Sequence, residues 1–244
     1  MHSTLAHALP VCAGSAVRAP IDAVRVDPSG ALLLRDGSVA HLEGIRLPAG
    51  DRDHAPDSFR RSAFSTLSAL IRGRALTLTG VAPFEDRYGR IRVQAFTGDN
   101  WIQAQLLTRG LARVSIAPDR VDCAAELYEA EAKARKSHAG LWSSPSYAAR
   151  SPAALDRDLG TFQLVEGRVA SVSERGGFAW LEFDAQAGSR FAAFIAEDDL
   201  RTFRAMGVDP RGYAGRSVRV RGIVQDLSGP AISLANPIQV EVID

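Results

Sequence analysis

The sequence predicts an α+β protein built from two small β-barrels in series, each with helices packed against it. In both halves of the chain, three segments of alternating apolar and polar residues precede a helical pattern, and further alternating segments follow it. A stretch rich in serine, proline, alanine and aspartate separates the halves. Alternation marks half-buried strands, and grouping strands before helices favours helices on one side of a sheet, so we expect two five-stranded barrels.

The first barrel is predicted to start with a β-meander and a helix. Ala23–Val26 and Ala31–Leu34 alternate, the turn signal Asp36-Gly37 follows, and Val39–Ile45 alternates again. Apolar residues then recur at helical spacing over residues 56–73. The pattern indicates three strands followed by one helix.

Two strands and two helices complete this barrel. Ala75–Val81 and Ile91–Phe96 alternate on either side of the loop Asp86–Arg90, and helical spacing returns over residues 102–110 and 122–137. The second half repeats the order of three strands, one helix and two strands. Its predicted elements are strands Val165–Val172, Phe178–Phe183 and Arg190–Ile195, the helix Glu197–Met206, and strands Ser217–Gln225 and Ala231–Val242.

These elements divide the chain into four segments. We expect an N-terminal tail over residues 1–20, a first domain over 21–143, a linker over 144–160 and a second domain over 161–244. The tail contains Ala6-His7-Ala8, which has the small-x-small form of a signal-peptide cleavage site, and we interpret it as the remnant of a signal peptide or as a disordered start.

Composition restricts the classes of function. Apolar residues make up 46% of the 244 residues, and no run approaches the ~18 apolar residues of a membrane span, so we expect no membrane crossing. Basic residues outnumber acidic residues 19 to 15 in residues 1–150, whereas acidic residues prevail 13 to 10 in residues 151–244. Such a small excess supports only weak attraction of phosphate.

Two cysteines leave the cellular compartment open. A disulfide between Cys12 and Cys123 fits an exported, secreted or periplasmic protein, and two free thiols fit the cytoplasm. We favour export.

The loop Asp86-Arg87-Tyr88-Gly89-Arg90 is the most specific motif of the chain, and it stands in order with several others. These are the Asp36-Gly37 hairpin, Leu42–Ile45 leading to Pro48, Gln103–Leu111 and Glu131–Trp142. Together they resemble the staphylococcal nuclease-like, or thermonuclease-like, family over Asp22 to Trp142. The resemblance implies a barrel of OB type, the oligonucleotide-binding fold, in which Arg90 contacts a phosphate.

The same resemblance implies that most of the family's catalytic positions are altered here. Active members use a carboxylate general base, two arginines and a calcium held by carboxylates. Matching the motifs puts Gly30 and Arg46 at the two metal aspartates, His41 at the first arginine and Ala49 at the general base, with Leu47 beside Arg46. Only Arg90 keeps the expected residue type, and a positive charge at Arg46 repels calcium.

The sequence therefore predicts a catalytically degenerate protein that binds nucleic acid or another phosphate-bearing ligand without cleavage and needs no cofactor. Arg46, Tyr88 and Arg90 are the expected ligand contacts in the first domain. In the second domain, Arg219 and Arg221 share one strand face and are further candidates, with Phe178 or Trp180 as a stacking surface.

Two alternatives stay open. The first is an active calcium-dependent phosphodiester nuclease whose general base has moved to Glu43, Asp51 or Asp53. The second is a protein-interaction scaffold of the cell envelope with no role in nucleic-acid binding and with an unidentified protein partner. His54 and His138 lack partners at metal-ligand spacing, so no zinc site is expected.

Overall fold

A computed structural model describes residues 10–86, 88–153, 155–184 and 190–244. The chain divides into two compact units, one formed by residues up to Gly50 together with Pro56–Ser143, the other by Asp51–Ala55 together with Ser144–Asp244. No helix within the described part of the chain has the length and apolar character that crossing a bilayer requires. The Ala6-His7-Ala8 sequence and Arg87 lie outside the described residues.

The first unit is a mixed β-barrel with three helices. Its strands are β1 Ser15–Val26, β2 Leu32–Leu34, β3 Val39–Leu42, β4 Ile45–Arg46, β5 Ala75–Gly80, β6 Ile91–Thr97, β7 Asn100–Trp101 and β8 Arg113–Val114. Its helices are α1 Asp57–Ile71, α2 Ile102–Thr108 and α3 Ala124–Lys136. The strand order is β3-β2-β1-β5-β6-β7, and the parallel pairing of β3 with β6 closes the barrel, while β4 and β8 form a separate small ladder.

The first core lies between the barrel and the helices. Its fully buried side chains come from alternate positions of the strands and from one face of each helix, as the apolar spacing predicts. They include Leu32, Leu78, Phe96, Leu67 and Leu106. Because alternate strand residues such as Ala40 and Leu42 pack into this core, His41 between them on β3 faces away from it.

The second unit is also a mixed β-barrel. Its strands are β9 Phe162–Arg175, β10 Phe178–Phe183, β11 Ala192–Ala196, β12 Ser217–Asp226, β13 Pro230–Ser233 and β14 Val240–Val242, and its helix is α4 Glu197–Ala205. The strand order is β13-β11-β10-β9-β12-β14, with β13 also paired to β12 and parallel to β11. The predicted fold class, two five-stranded barrels with packed helices, is confirmed.

Several elements differ in extent from the prediction. β1 begins at Ser15 rather than Ala23, because register shifts along the strand interrupt the alternation that would reveal it. The last predicted strand is divided into β13 and β14 by a 3-10 turn at Pro237–Gln239. Leu155, within the segment predicted as a linker, is 1% exposed and belongs to the second core.

Candidate functional site

The loop before β6 orders Arg90. The Asp86 carboxylate accepts hydrogen bonds from the backbone N–H groups of Tyr88 at 2.8 Å and Arg90 at 3.1 Å. Its second oxygen accepts from the Arg90 Nε atom at 2.7 Å. The hydrogen bond from the Arg90 side chain is the main cause that lowers the pKa of Asp86 to about 2. Asp86 therefore stays ionised and holds the guanidinium group in place.

Arg90 presents a charged group beside an aromatic ring. Its guanidinium carbon lies 5.0 Å from the centroid of the Tyr88 ring, and its side chain is 43% exposed although Asp86 binds one edge. Tyr88 is 66% exposed. An exposed guanidinium next to an exposed ring is suited to hydrogen bonding with phosphate oxygens and to stacking.

His41 lies on β3 within the same electrostatic neighbourhood. It is half-buried, and burial lowers the pKa of its imidazole below the ordinary value of 6.5. The Arg90 charge lowers this pKa further, whereas the Asp86 and Asp27 charges act in the opposite direction. The structure thus groups His41 and Arg90, and it adds two carboxylates to them.

Asp27 was not among the predicted site residues. One of its carboxylate oxygens accepts from the Ser29 backbone N–H at 2.7 Å, the Ser29 hydroxyl at 2.6 Å and the Ala31 backbone N–H at 3.0 Å. Burial acts to raise the pKa of Asp27, but these hydrogen bonds lower it overall. An Asp-Pro-Ser sequence is a known turn signal and could have indicated this loop, although not its place beside His41.

Gly30, predicted to replace a metal aspartate, lies against Leu47. Gly30 has φ = +91°, in the region that favours glycine. A Cβ atom built on Gly30 would lie 2.6 Å from Leu47 Cδ1 and 3.9 Å from Phe64 Cζ. The surroundings of this position are apolar, and any side chain at residue 30 would displace Leu47.

Arg46 and Ala49 occupy the next two predicted positions. Arg46 is half-buried on β4, where its Cα atom pairs with that of Arg113 on β8. Ala49 lies directly before the 3-10 turn Gly50–Asp53 and is partly buried. Neither side chain can supply a carboxylate.

The three acids considered as a relocated base have different environments. Asp51 is exposed, whereas Asp53 is 2% exposed and accepts a hydrogen bond from the Tyr147 hydroxyl at 3.1 Å. Glu43 is half-buried, and burial raises the pKa of its carboxyl group although the Arg92 charge opposes the rise. Arg92 Nε lies 3.4 Å from Glu43 Oε2, so this carboxylate has a cation as its neighbour.

Arg92 forms a second ion pair, with Asp119, that the sequence did not predict. Its two terminal nitrogens donate to the two Asp119 carboxylate oxygens at 3.1 and 2.6 Å. These hydrogen bonds lower the pKa of Asp119. The pairing joins residues 27 positions apart, and no sequence spacing could have indicated it.

Arg219 and Arg221 lie in a network of carboxylates on β12. Arg219 Nε donates to Glu166 at 2.7 Å, its Nη1 donates to Glu241 at 3.0 Å, and Arg221 donates to the other oxygen of Glu241. The Arg221 side chain is 1% exposed. Arg219, at 17% exposed, and Arg221 are both paired and little accessible, so we leave them out of the ligand site proposed below.

A disulfide joins Cys12 to Cys123. Cys12 belongs to the 3-10 turn Val11–Ala13, and Cys123 directly precedes α3. The covalent link therefore ties the segment before β1, part of the predicted tail, to the start of the last helix of the first unit. Among the described residues, no three His, Cys, Asp or Glu side chains are grouped so that they could hold a metal ion.

Comparison with known proteins identifies the class of the first unit. Residues 40–144 match the family described as Staphylococcal nuclease homologue. Over 100 residues the chain is 31% identical to Staphylococcal-like nuclease CAN1 of Arabidopsis thaliana, a match that covers 41% of this chain and 29% of the plant protein. Residues 40–144 are therefore similar to a staphylococcal nuclease domain, and a second β-barrel follows them.

Proposed function

We propose that the nuclease-like domain binds nucleic acid, or another ligand that carries phosphate, without metal-dependent cleavage. The observation that carries this proposal is the contact between Gly30 and Leu47. At the position where the family resemblance expects a metal aspartate, the residue has no side chain, and Leu47 Cδ1 lies 2.6 Å from the position of a Cβ atom. An apolar group thus fills the space that a carboxylate would need.

The residues at this site do not fit a calcium ion. Calcium requires several hard oxygen ligands, mostly carboxylates and carbonyls. Gly30 and Ala49 offer no side-chain oxygen, and Arg46 brings a positive charge to the second metal position. We therefore derive no catalytic step through calcium.

Arg90 and Tyr88 supply the binding chemistry of the proposed site. The guanidinium group is ordered by Asp86 and yet 43% exposed, so it can donate charge-assisted hydrogen bonds to a phosphate. The Tyr88 ring, 66% exposed, offers a surface on which a base can stack. We also assign Arg46 to this site, because the family resemblance matches it to a metal aspartate and it is partly exposed.

A second candidate function is nuclease activity with a relocated base. The plant relative is by name a nuclease, and the burial that raises the Glu43 pKa brings it closer to the range of a general base. Against this function, Arg92 lies 3.4 Å from the Glu43 carboxylate. We regard binding without cleavage as the better account.

The test is cleavage of fluorescent single-stranded DNA and RNA by the purified protein, with calcium and with chelator, beside the Arg90→Ala variant. We expect no cleavage above that of the variant, because a contaminating nuclease would act equally in both samples. Calcium-dependent cleavage that the variant lacks would replace our proposal with the nuclease function. Glu43→Gln and Asp51→Asn would then identify the base.

A further inference from the structure

Three aromatic side chains pack together on the side of the second barrel that faces away from its core, with Phe178 38% exposed, Trp180 partly exposed and Phe194 8% exposed. Ala179, Leu181 and Phe183 of β10 point into the second core, so Phe178 and Trp180 point away from it. Phe194 of β11 is the register partner of Trp180 and lies on the same outer side, since Ala193 and Ile195 face the core. We call Phe178, Trp180 and Phe194 the aromatic platform.

The platform rings contact one another. The Trp180 and Phe194 centroids are 5.4 Å apart, those of Phe178 and Phe194 are 5.8 Å apart, and those of Phe178 and Trp180 are 6.0 Å apart. Phe178 is 38% exposed. Because the rings are held by their neighbours, a flat ligand can stack on the exposed ring without first ordering the site.

A polar edge borders the platform along β9 and β10. The Arg175 guanidinium lies 5.0 Å from the Trp180 ring centroid and donates to Ser173 Oγ at 3.2 Å and to Glu182 at 2.6 Å. The second Glu182 oxygen accepts from Ser171 Oγ at 2.9 Å. Hydrogen-bonding groups therefore lie directly beside the aromatic rings, where the edges of a stacked base would meet them.

The ion pairs on this face expose their cations more than their anions. The exposed fractions are 58% for Arg175 against 40% for Glu182, and 61% for Arg168 against 50% for Asp184, farther along the same two strands. Each pair is neutral overall, but both guanidinium groups are more than half exposed and keep N–H groups that can donate to phosphate oxygens.

We propose that the aromatic platform binds the bases of single-stranded nucleic acid by stacking, with Arg175 and Arg168 contacting the adjoining phosphates. Every base has a flat π-face, and stacking on aromatic side chains serves proteins that bind single strands without sequence preference. This site goes beyond the function proposed for the first unit, because it lies wholly within the second unit and does not use Arg90.

The test measures the affinity of the full-length protein for labelled oligodeoxythymidylate by fluorescence anisotropy over a range of salt concentrations. Trp180→Leu removes the π-face but keeps an apolar side chain, and we expect it to weaken binding by about 5-fold to 100-fold, as for loss of one stacked base. The dependence of the affinity on salt should not change, because the substitution removes no cation. Trp180→Phe should retain most of the affinity.

Ile223→Ala is the matched control, since Ile223 is an apolar residue of the same unit that is 39% exposed and lies on β12, outside the platform. Unchanged affinity in Trp180→Leu and in Phe178→Leu would overturn the proposal. The proposal would also be overturned if Trp180→Leu kept its affinity for DNA but lost binding to a neutral oligosaccharide. That result would identify the platform as a carbohydrate site.

The Arg90→Ala variant, measured in parallel, separates this proposal from the one for the first unit. If Arg90→Ala weakens binding and Trp180→Leu does not, the platform proposal fails alone. If Trp180→Leu weakens binding and Arg90→Ala does not, the function proposed for the first unit fails alone. If neither substitution weakens binding, both proposals fail.

Discussion

Leu47 Cδ1 lies 2.6 Å from the position that a Cβ atom on Gly30 would take. This close approach and the left-handed backbone of Gly30 impose two separate constraints on residue 30. The first is steric and depends on Leu47, and the second is conformational and belongs to the backbone. Both act against a metal-binding carboxylate at this position, and they can be measured independently.

We predict that Gly30→Ala destabilises the protein more than Gly37→Ala. Both glycines have positive φ, +91° and +86°, but a Cβ atom on Gly37 would meet nothing within 4 Å. Gly37→Ala should therefore cost only the left-handed strain of about 1–2 kcal/mol. Gly30→Ala should cost a further ~1–3 kcal/mol for overpacking against Leu47. Urea unfolding of both variants measures the difference.

A double-mutant cycle with Leu47→Ala tests the cause of that difference. Truncating Leu47 removes the atom in conflict, so the two substitutions together should cost less than the sum of their separate effects. Equal costs for Gly30→Ala and Gly37→Ala would contradict the proposal that Leu47 leaves no room for a side chain at residue 30.

We predict that Arg90→Ala weakens binding of single-stranded nucleic acid and reduces its dependence on salt. If Arg90 neutralises one phosphate of a single strand, its removal should lower the slope of log affinity against log salt by about 0.7. Arg61→Ala is the control, because Arg61 is an exposed arginine of the same unit that pairs with Asp57 on α1. A slope that falls equally in both variants would mean that Arg90 contributes only general charge.

We predict that His41 makes the protein less stable as the pH falls below about 6.5. Burial lowers the pKa of folded His41, so the unfolded chain binds more protons in this range and acidification favours unfolding. His41→Asn should reduce this loss of stability, which thermal unfolding between neutral and mildly acid pH would show. His138→Asn is the control, since asparagine tolerates the positive φ of 52° at that exposed position. An unchanged pH profile in His41→Asn would contradict the assigned environment.

We predict that removing the Cys12–Cys123 disulfide destabilises the first unit. The bond spans 111 residues, and linking such distant positions restricts the unfolded chain, so removal should cost about 2–5 kcal/mol. Urea unfolding of a Cys12→Ser/Cys123→Ser variant measures the loss of stability. Titration of two free thiols in the native protein, purified without reductant, would show that the bond is absent.

The barrels follow from the sequence because strand alternation and helical spacing are local signals. β1 was predicted too short, since its irregular register and largely exposed residues obscure the alternation. The side-chain contacts of the predicted ligand-binding residues are harder to predict from the sequence. Arg219 and Arg221 alternate as residues of one face should, but their partner Glu241 lies 22 and 20 residues away and Glu166 is 53 residues from Arg219. Sequence spacing can indicate a shared face, but it cannot show which carboxylates neutralise that face.

Binding of a single strand and its survival uncleaved can be tested in one measurement. Anisotropy of a labelled single-stranded oligonucleotide would be followed over a range of salt concentrations, with calcium and with chelator. The oligonucleotide would then be recovered and its length determined. We predict equal affinity in both conditions, affinity that declines as salt rises, and an oligonucleotide of unchanged length. Shortened products that appear only with calcium and only with Arg90 present would contradict the account. Failure to bind at any salt concentration would also contradict it, and would favour a protein-interaction scaffold.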